Sequence, residues 1–174
     1  MSVLYGTAVT LRPAEAGDIE RLAAILATPE VARWWPRYDA ERVRRDLIEG
    51  TDVVVFAVEA QESPSQPPQV IGCIQYSEEP APDYRHASID VFLDPLWHGR
   101  GLGTDAVRTL ARHLVHDRGH HRLAIDPAAD NETAIKTYTR VGFRPVGLLR
   151  QYERNAAGEW QDGLLMDLLK RDLD

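Results

Sequence analysis

Apolar residues recur along the chain with two different periods, and these periods predict an interleaved series of strands and helices. Runs typical of strands cover 8–12, 53–58, 69–77, 86–93 and a short segment ending near 125. Apolar spacings of three and four residues predict helices over about 14–27, 39–48, 102–115 and 131–141. Two further strand-like runs, 144–153 and 159–169, flank a turn and predict a closing hairpin. This order predicts a mixed α/β fold with helices packed on a sheet.

Three glycines occupy alternate positions where a predicted strand gives way to a predicted helix. Gly99, Gly101 and Gly103 follow the run 86–93 and precede the apolar stripe of the helix that begins near residue 102. Glycine accepts positive φ and lets a ligand approach the backbone closely. The unpaired N–H groups at the start of a helix attract anions. The turn therefore predicts a phosphate-binding site.

Known phosphate-binding motifs fit this turn unequally. A Walker loop requires a lysine that is missing here, and a dinucleotide fingerprint has the spacing Gly-x-Gly-x-x-Gly at the first strand. Asp126, about twenty residues further on, keeps the dinucleotide interpretation open. A plain glycine-rich connection without a ligand is the remaining alternative.

A second motif follows the next short strand and reads Asn131-x-x-Ala134-x-x-x-Tyr138-x-x-x-Gly142-Phe143. Together with the glycine turn, in this order, it resembles the GNAT superfamily of acyl-CoA-dependent N-acetyltransferases, and the likeness extends from about residue 7 to 170. The resemblance implies one GNAT domain over 1–174, whose mixed, mostly antiparallel central sheet carries helices on both faces. It also implies that acetyl-CoA is the cosubstrate.

The resemblance places the coenzyme along the glycine turn and the second motif. His98 stands where the superfamily usually has Gln or Arg, and the backbone amides are expected to do most of the binding. Tyr138 matches a tyrosine that protonates the leaving thiolate, although its apolar helix face also suits core packing. Asn131 matches a coenzyme contact but also suits a helix N-cap. The implied coenzyme-binding residues are Phe92, Leu93, His98, Gly99, Arg100, Gly101, Leu102, Gly103, Thr104, Asn131, Ala134 and Tyr138.

The acceptor side resembles aminoglycoside 6'-N-acetyltransferases in three segments, which contain Trp34-Trp35, Asp90 and Asp126. A protonated amine cannot attack a thioester, and a carboxylate can bind the ammonium and remove its proton. The expected roles are base for Asp90 and ammonium anchor for Asp126. The alternatives are a solvated strand residue for Asp90, a turn carboxylate for Asp126 and core packing for the tryptophans. A tryptophan face also suits a sugar ring or a cation.

Acidic residues predict a cationic small-molecule amine as the acceptor, and the formal net charge of −7 agrees with this. The expected substrate side comprises Trp34, Trp35, Glu78, Glu79, Asp83, Asp90 and Asp126, with Asp130 nearby. Transfer to a protein N-terminus or to a siderophore precursor is the first alternative. A non-catalytic acyl-CoA-binding module is the second.

Composition limits the remaining possibilities. An acidic chain argues against nucleic acid as a partner. No apolar run has the length of a membrane span, and no signal peptide is expected, so we expect a cytoplasmic protein. The single cysteine, Cys73, lies in an apolar strand and leaves no partner for an internal disulfide. A monomer or a homodimer is expected. His113, His116, His120 and His121 lack the cysteine or carboxylate pattern of a zinc site, so no metal is expected.

Overall fold

The computed structural model describes residues 2–173. Within them, eight strands form a single sheet in the order β1-β2-β3-β4-β5-β6-β8-β7. Only the β5–β6 pair is parallel, so the sheet is mixed and mostly antiparallel. The strands are β1 Leu4–Tyr5, β2 Thr10–Pro13, β3 Val54–Ala60, β4 Gln69–Glu79, β5 His86–Leu93, β6 Arg122–Ile125, β7 Arg144–Arg154 and β8 Trp160–Leu169.

Helices cover both faces of this sheet, which confirms the architecture that the resemblance implied. They are α1 Ile19–Leu26, α2 Pro29–Ala32, α3 Ala40–Val43, α4 Leu102–Arg112 and α5 Glu132–Val141. Directly after α3 and α4 the chain continues as π-helix, over Arg44–Ile48 and His113–Asp117, respectively. Apolar residues of α4 and α5 form one core cluster with one face of the sheet, and those of α1, α2 and α3 form a second cluster on the other.

Residues at the helix ends explain where α3 and α5 begin and where α5 ends. The Asp39 carboxylate accepts the backbone N–H of Arg42, and the Asn131 side chain accepts that of Ala134. Each bond satisfies an N–H group that the first helical turn leaves unpaired. At the other end of α5, Gly142 has a φ of +123°, which only glycine adopts easily.

The strand β5 divides the two cores because its side chains alternate between the faces of the sheet. Leu93 packs in the cluster with α4 and α5, whereas Phe92 packs in the cluster with α1 and α3. Cys73 lies opposite Phe92 in the β4–β5 ladder and is only 1% exposed. Burial raises the pKa of this thiol, so Cys73 is an unreactive core residue of the apolar strand β4.

The parallel strands β5 and β6 stay paired for only a short distance. Their partners are Ala87 with Leu123 and Ser88 with Ala124. Beyond these positions the two strands separate, and a cleft opens at their carboxyl ends, where open α/β sheets usually bind ligands. None of the helices within residues 2–173 has the length and apolar character needed to cross a membrane.

Candidate active site

The cleft between β5 and β6 has a volume of about 960 Å³. Its walls come from the end of β5, the glycine turn, the start of α4, the loop and helix after β6, and the segment between α2 and α3. The structure thus brings together most of the residues that the sequence indicated. These are Trp34, Trp35, Asp90, Phe92, Leu93, His98, Gly99, Gly101, Leu102, Gly103, Thr104, Asp126, Asn131, Ala134 and Tyr138.

Two glycines of the turn have backbone conformations that other residues rarely adopt. Gly99 has a φ of +75°, and Gly101, which precedes α4, has a φ of +76°. Gly103 has no positive φ, and a Cβ added there would meet Leu93 at 3.5 Å, an ordinary contact. The turn therefore needs glycine at 99 and 101 for its backbone conformation. At 103, the absence of a side chain leaves space in the cleft beside the turn.

Two neighbours of these glycines have structural contacts of their own. Arg100 does not line the cleft, contrary to expectation, because its guanidinium lies 4.8 Å from the Trp97 ring centroid and 3.4 Å from Glu62. His98 does line the cleft, and its Nε2 is 2.9 Å from the carbonyl oxygen of Leu93. His98 therefore joins the turn to the end of β5.

Tyr138 belongs to the core and also borders the cleft. The side chain is only 6% exposed and packs edge-on against Phe143, with ring centroids 6.3 Å apart. It also lines the cleft. Burial raises the pKa of this phenol, so the hydroxyl keeps its proton at neutral pH and is available as a donor.

Asp90 of β5 lines the cleft and has an exposed side chain. Its partner in the β4–β5 ladder is Gln75. The Gln75 amide nitrogen lies 3.4 Å from an Asp90 carboxylate oxygen, and the Gln75 amide oxygen is buried without a hydrogen-bond partner within residues 2–173. The surrounding protein withdraws water from Asp90, and the charge of Asp126 opposes its ionisation. These effects raise the pKa of Asp90 to about 6. A carboxylate with such a pKa can exchange a proton near neutral pH.

Asp126 follows β6 and faces the same cleft. One of its carboxylate oxygens accepts the hydroxyl of Tyr152, at 2.5 Å. Glu153, the next residue of β7, also lines the cleft, and burial raises its pKa. Tyr152 does not itself line the cleft. The sequence indicated neither Tyr152 nor Glu153, because an irregularity of β7 sets their positions and no motif marks it.

An aromatic wall borders the acceptor half of the cleft. Trp35 contacts Phe92 and Tyr38 edge-on, at centroid distances of 5.1 and 5.8 Å. Trp35 also packs against the core of α1 and α3, so it is both a packing residue and a cleft residue. Trp34 lines the cleft with the Arg33 guanidinium 4.5 Å from its ring centroid. Tyr38 is a wall residue that the sequence did not indicate.

Three acidic residues expected on the substrate side, Glu78, Glu79 and Asp83, lie outside the cleft. Strand alternation directs Glu78 to the face opposite that of Gln75, where it pairs with Arg118 at 2.7 Å and His120 at 2.6 Å. Glu79 accepts the N–H of Ala81 within a local turn, at 2.9 Å. Asp83 is exposed on a short 3₁₀ turn. Closeness in sequence to Asp90 was therefore a poor guide to position.

The histidines near the end of α4 have separate surroundings. His113 contacts Asp117 at 2.8 Å, and His120 is buried against Glu78. Across residues 2–173, no group of three or more histidine, cysteine, aspartate or glutamate side chains is arranged to hold a metal ion.

Comparison with known proteins supplies the family. The family described as "Acetyltransferase (GNAT) domain" matches residues 8–144. An uncharacterized N-acetyltransferase, p20 of Bacillus licheniformis, is 27% identical, over 99% of this chain and 98% of its own length. The aminoglycoside N(6')-acetyltransferase type 1 of Klebsiella pneumoniae is 30% identical, over 80% of this chain and 75% of its own length.

A solved structure shares the fold at lower identity. Spermidine N-acetyltransferase from Vibrio cholerae, in complex with CoA and spermine, superimposes with a TM-score of 0.78 at 20% identity, covering 96% of this chain and 98% of that one. With the family match over residues 8–144, this chain belongs to the GNAT acetyltransferase family and is an acetyl-transferring enzyme.

Proposed function

We propose that this enzyme transfers the acetyl group of acetyl-CoA to an amine of an aminoglycoside, at the 6' position. The observation that carries the proposal is the meeting of Asp90 and Asp126 in one cleft that also contains the glycine turn. The cleft thus offers an anion-binding end for the coenzyme and an acidic end for a cationic acceptor. The relative of Klebsiella pneumoniae, at 30% identity, supports the same acceptor class.

The glycine turn supports acetyl-CoA as the donor. The backbone N–H groups at the start of α4 are suited to a pyrophosphate, because a helix N-terminus carries partial positive charge. The positive φ values at Gly99 and Gly101 shape the turn, and the missing side chain at Gly103 leaves room beside it. The structure of the spermidine enzyme contains CoA, which agrees with this assignment.

The acidity of the cleft supports a polycationic acceptor. In addition to Asp90 and Asp126, four further carboxylates line it, and these belong to Glu30, Asp130, Glu132 and Glu153. An aminoglycoside carries several ammonium groups on linked sugar rings. The carboxylates suit the ammonium groups, and the wall formed by Trp34, Trp35 and Tyr38 suits the faces of the rings.

In the proposed reaction, Asp90 takes a proton from the acceptor ammonium, directly or through water, and the freed amine attacks the thioester carbonyl. The new C–N bond forms, and as the C–S bond breaks the Tyr138 hydroxyl donates its proton to the departing thiolate. The second proton, which the acetylated nitrogen loses to become an amide, returns through water to Tyr138. Asp126 holds an ammonium group of the acceptor close to the reacting carbonyl. The pKa of Asp90, raised to about 6, suits a base that works near neutral pH.

A thiol-release assay with acetyl-CoA tests the proposal. Neomycin and paromomycin form a matched pair, because paromomycin has a hydroxyl group at the 6' position, where neomycin has an amine. Turnover of neomycin and of kanamycin, with none of paromomycin, is the expected result, and NMR of the product locates the acetyl group. Acetylation of an N-terminal peptide or a hydroxylamine-type siderophore precursor, without turnover of the aminoglycosides, contradicts the acceptor. Tight acetyl-CoA binding without any turnover contradicts catalysis.

A further inference from the structure

We propose that Tyr152 is a positioning residue for the acceptor amine. Its hydroxyl holds the Asp126 carboxylate in the orientation that receives an ammonium group, and Gly163 supplies the space that its ring needs. The inference rests on the proposed use of Asp126 as an amine anchor. It adds a specificity element from the closing β7–β8 hairpin, which carries no recognisable motif.

An irregularity in β7 is what brings the Tyr152 hydroxyl to Asp126, at the border of the cleft. The pairing of β7 with β8 loses its register between Leu149 and Glu153. Within this break Gln151 has a φ of +49°, an uncommon value for a residue other than glycine. The Asp162 carboxylate accepts the backbone N–H of Gln151 at 2.8 Å and so holds the irregular segment against β8. If β7 were regular here, the Tyr152 side chain, which follows Gln151, would point in a different direction.

Gly163 makes the path of the Tyr152 ring possible. A Cβ added to Gly163 would lie 2.8 Å from Cδ1 and 3.3 Å from Cγ of Tyr152, closer than atoms normally approach. The ring therefore lies directly over the missing side chain. Gly163 has no positive φ, so its backbone imposes no need for glycine there. The close approach of the ring is the reason we infer for glycine at this position.

The same stretch of β8 also holds the loop that carries Asp126. Gly163 forms an isolated β-bridge with Ala128, and the N–H of Leu164 donates to the carbonyl of Pro127 at 2.8 Å. Asp126 and Tyr152 are therefore fixed against one short segment of backbone. This common support keeps the carboxylate and the phenol in a constant relation to each other.

The chemistry of the pair suits recognition of an ammonium group. The phenol engages Oδ2 of Asp126, which leaves Oδ1 for the substrate. An arginine at this position would cancel the negative charge of the carboxylate. The phenol is uncharged, so it orients the carboxylate and leaves its charge available to the substrate. Tyr152 itself does not line the cleft, so its effect on the acceptor passes through the Asp126 carboxylate.

The Tyr152→Phe variant tests this role because it keeps the ring over Gly163 and removes only the hydroxyl. For neomycin and for spermidine, we expect KM to rise about tenfold, the loss typical of one hydrogen bond to a charged group. We expect kcat to stay within about twofold, since the interaction is present before and during the reaction. KM for acetyl-CoA should not change. Tyr5→Phe, at the opposite edge of the sheet and 78% exposed, is the matched control.

A double-mutant cycle tests the part assigned to Gly163. Gly163→Ala should raise the acceptor KM in the wild-type background, because its methyl group displaces the ring. In the Tyr152→Ala background it should add nothing, since no ring remains to be displaced. Equal effects in both backgrounds would overturn the role of Gly163 as space for this ring.

The two acceptors separate this inference from the proposed function. Turnover of spermidine but not neomycin, with the KM change in Tyr152→Phe, contradicts the aminoglycoside acceptor and supports the positioning role. Turnover of neomycin with an unchanged KM in Tyr152→Phe supports the aminoglycoside acceptor and overturns the positioning role. An enzyme that acetylates neither amine overturns both.

Discussion

Gln75 and Asp90 are cross-strand partners in the β4–β5 ladder, and the amide nitrogen of Gln75 is the side-chain donor to the Asp90 carboxylate, at 3.4 Å. This bond favours the ionised carboxylate and opposes the larger effects of the surrounding protein and of Asp126, which raise the pKa of Asp90. The protonation state of the proposed base is therefore set by a balance of identifiable contacts.

The first prediction concerns the pH dependence of acetylation. Because Asp90 must be ionised to accept a proton, kcat/KM should rise with pH through about 6, the pKa of Asp90. Gln75→Leu removes the donor, so the pKa of Asp90 should increase and the acidic limb should move to higher pH. Steady-state kcat/KM across the acidic range gives the midpoint, because this ratio reports the pKa of the free enzyme. An identical midpoint in the variant contradicts the assignment of that limb to Asp90.

The second prediction links Asp90 to stability. An unfolded aspartate has a pKa of about 3.9, so between about pH 4 and 6 the folded protein keeps a proton that the unfolded chain has lost. Stability from this group is therefore highest at low pH and declines as pH rises through about 6.

Asp90→Asn should accordingly be more stable than wild type near about pH 8, and the difference should shrink toward about pH 4. Thermal unfolding at a series of pH values measures the difference. The same variant should lose acetylation, since an amide cannot act as the base. A difference in melting temperature that does not depend on pH would show that Asp90 is not the group responsible.

The third prediction separates two glycines of the turn. Gly103→Ala should fold normally, because its methyl group meets only ordinary contacts, yet it should weaken acetyl-CoA binding by narrowing the cleft wall. Gly101→Ala should instead lower the free energy of unfolding by about 1 kcal/mol, since its φ is in the left-handed region. Calorimetric titration with acetyl-CoA and chemical denaturation test the two effects. Normal coenzyme affinity in Gly103→Ala would place the pyrophosphate elsewhere.

The fourth prediction concerns Tyr138. Tyr138→Phe keeps the ring packed against Phe143 and removes the proton donor, so acetyl-CoA affinity should be retained. The single-turnover rate should fall about 10²-fold or more, the usual contribution of a general acid. Rapid-quench measurement avoids masking by slow product release. A wild-type rate in this variant would restrict Tyr138 to packing.

The fifth prediction concerns Glu78, which the structure removes from the substrate side. The pKa of Glu78 is lowered to about 2, first by its hydrogen bond with Arg118 and then by that with His120. Its stabilising effect is therefore present above about pH 4.5 and is lost as pH falls toward about 2. Glu78→Gln should lower stability at neutral pH with unchanged KM for the acceptor. A raised acceptor KM would return Glu78 to the substrate side.

Most elements could be predicted from the sequence because their signals are local. The run 86–93 coincides with β5, and the helices predicted over about 39–48 and 131–141 begin at the Asp39 N-cap and end at Gly142, respectively. The short elements α2 and β1 were missed, since Pro29–Ala32 and Leu4–Tyr5 are too brief to show a period. The widening of the helix after α3 was missed as well, because apolar spacing does not distinguish an α-helix from a π-turn.

The candidate site could be predicted best where a motif reports backbone geometry. The glycine turn and the helix around Tyr138 are such motifs, and both line the cleft. Glu78 shows the limit of reasoning from composition, since charge near Asp90 in sequence does not reveal the face of the strand. Tyr152 shows another limit, because its position depends on a break in strand register that pairing alone determines.

The separation of the core into two clusters has a consequence for how substrate preference can change. The coenzyme end of the cleft is built on α4 and α5, whereas the aromatic wall is built on the layer of α1 and α3, and β5 contributes Leu93 to one and Phe92 to the other. Substitutions in the aromatic layer can thus accumulate without disturbing the packing behind the glycine turn. Because of this division, the amine acceptor can change in the course of evolution while the residues that form the coenzyme end of the cleft stay the same.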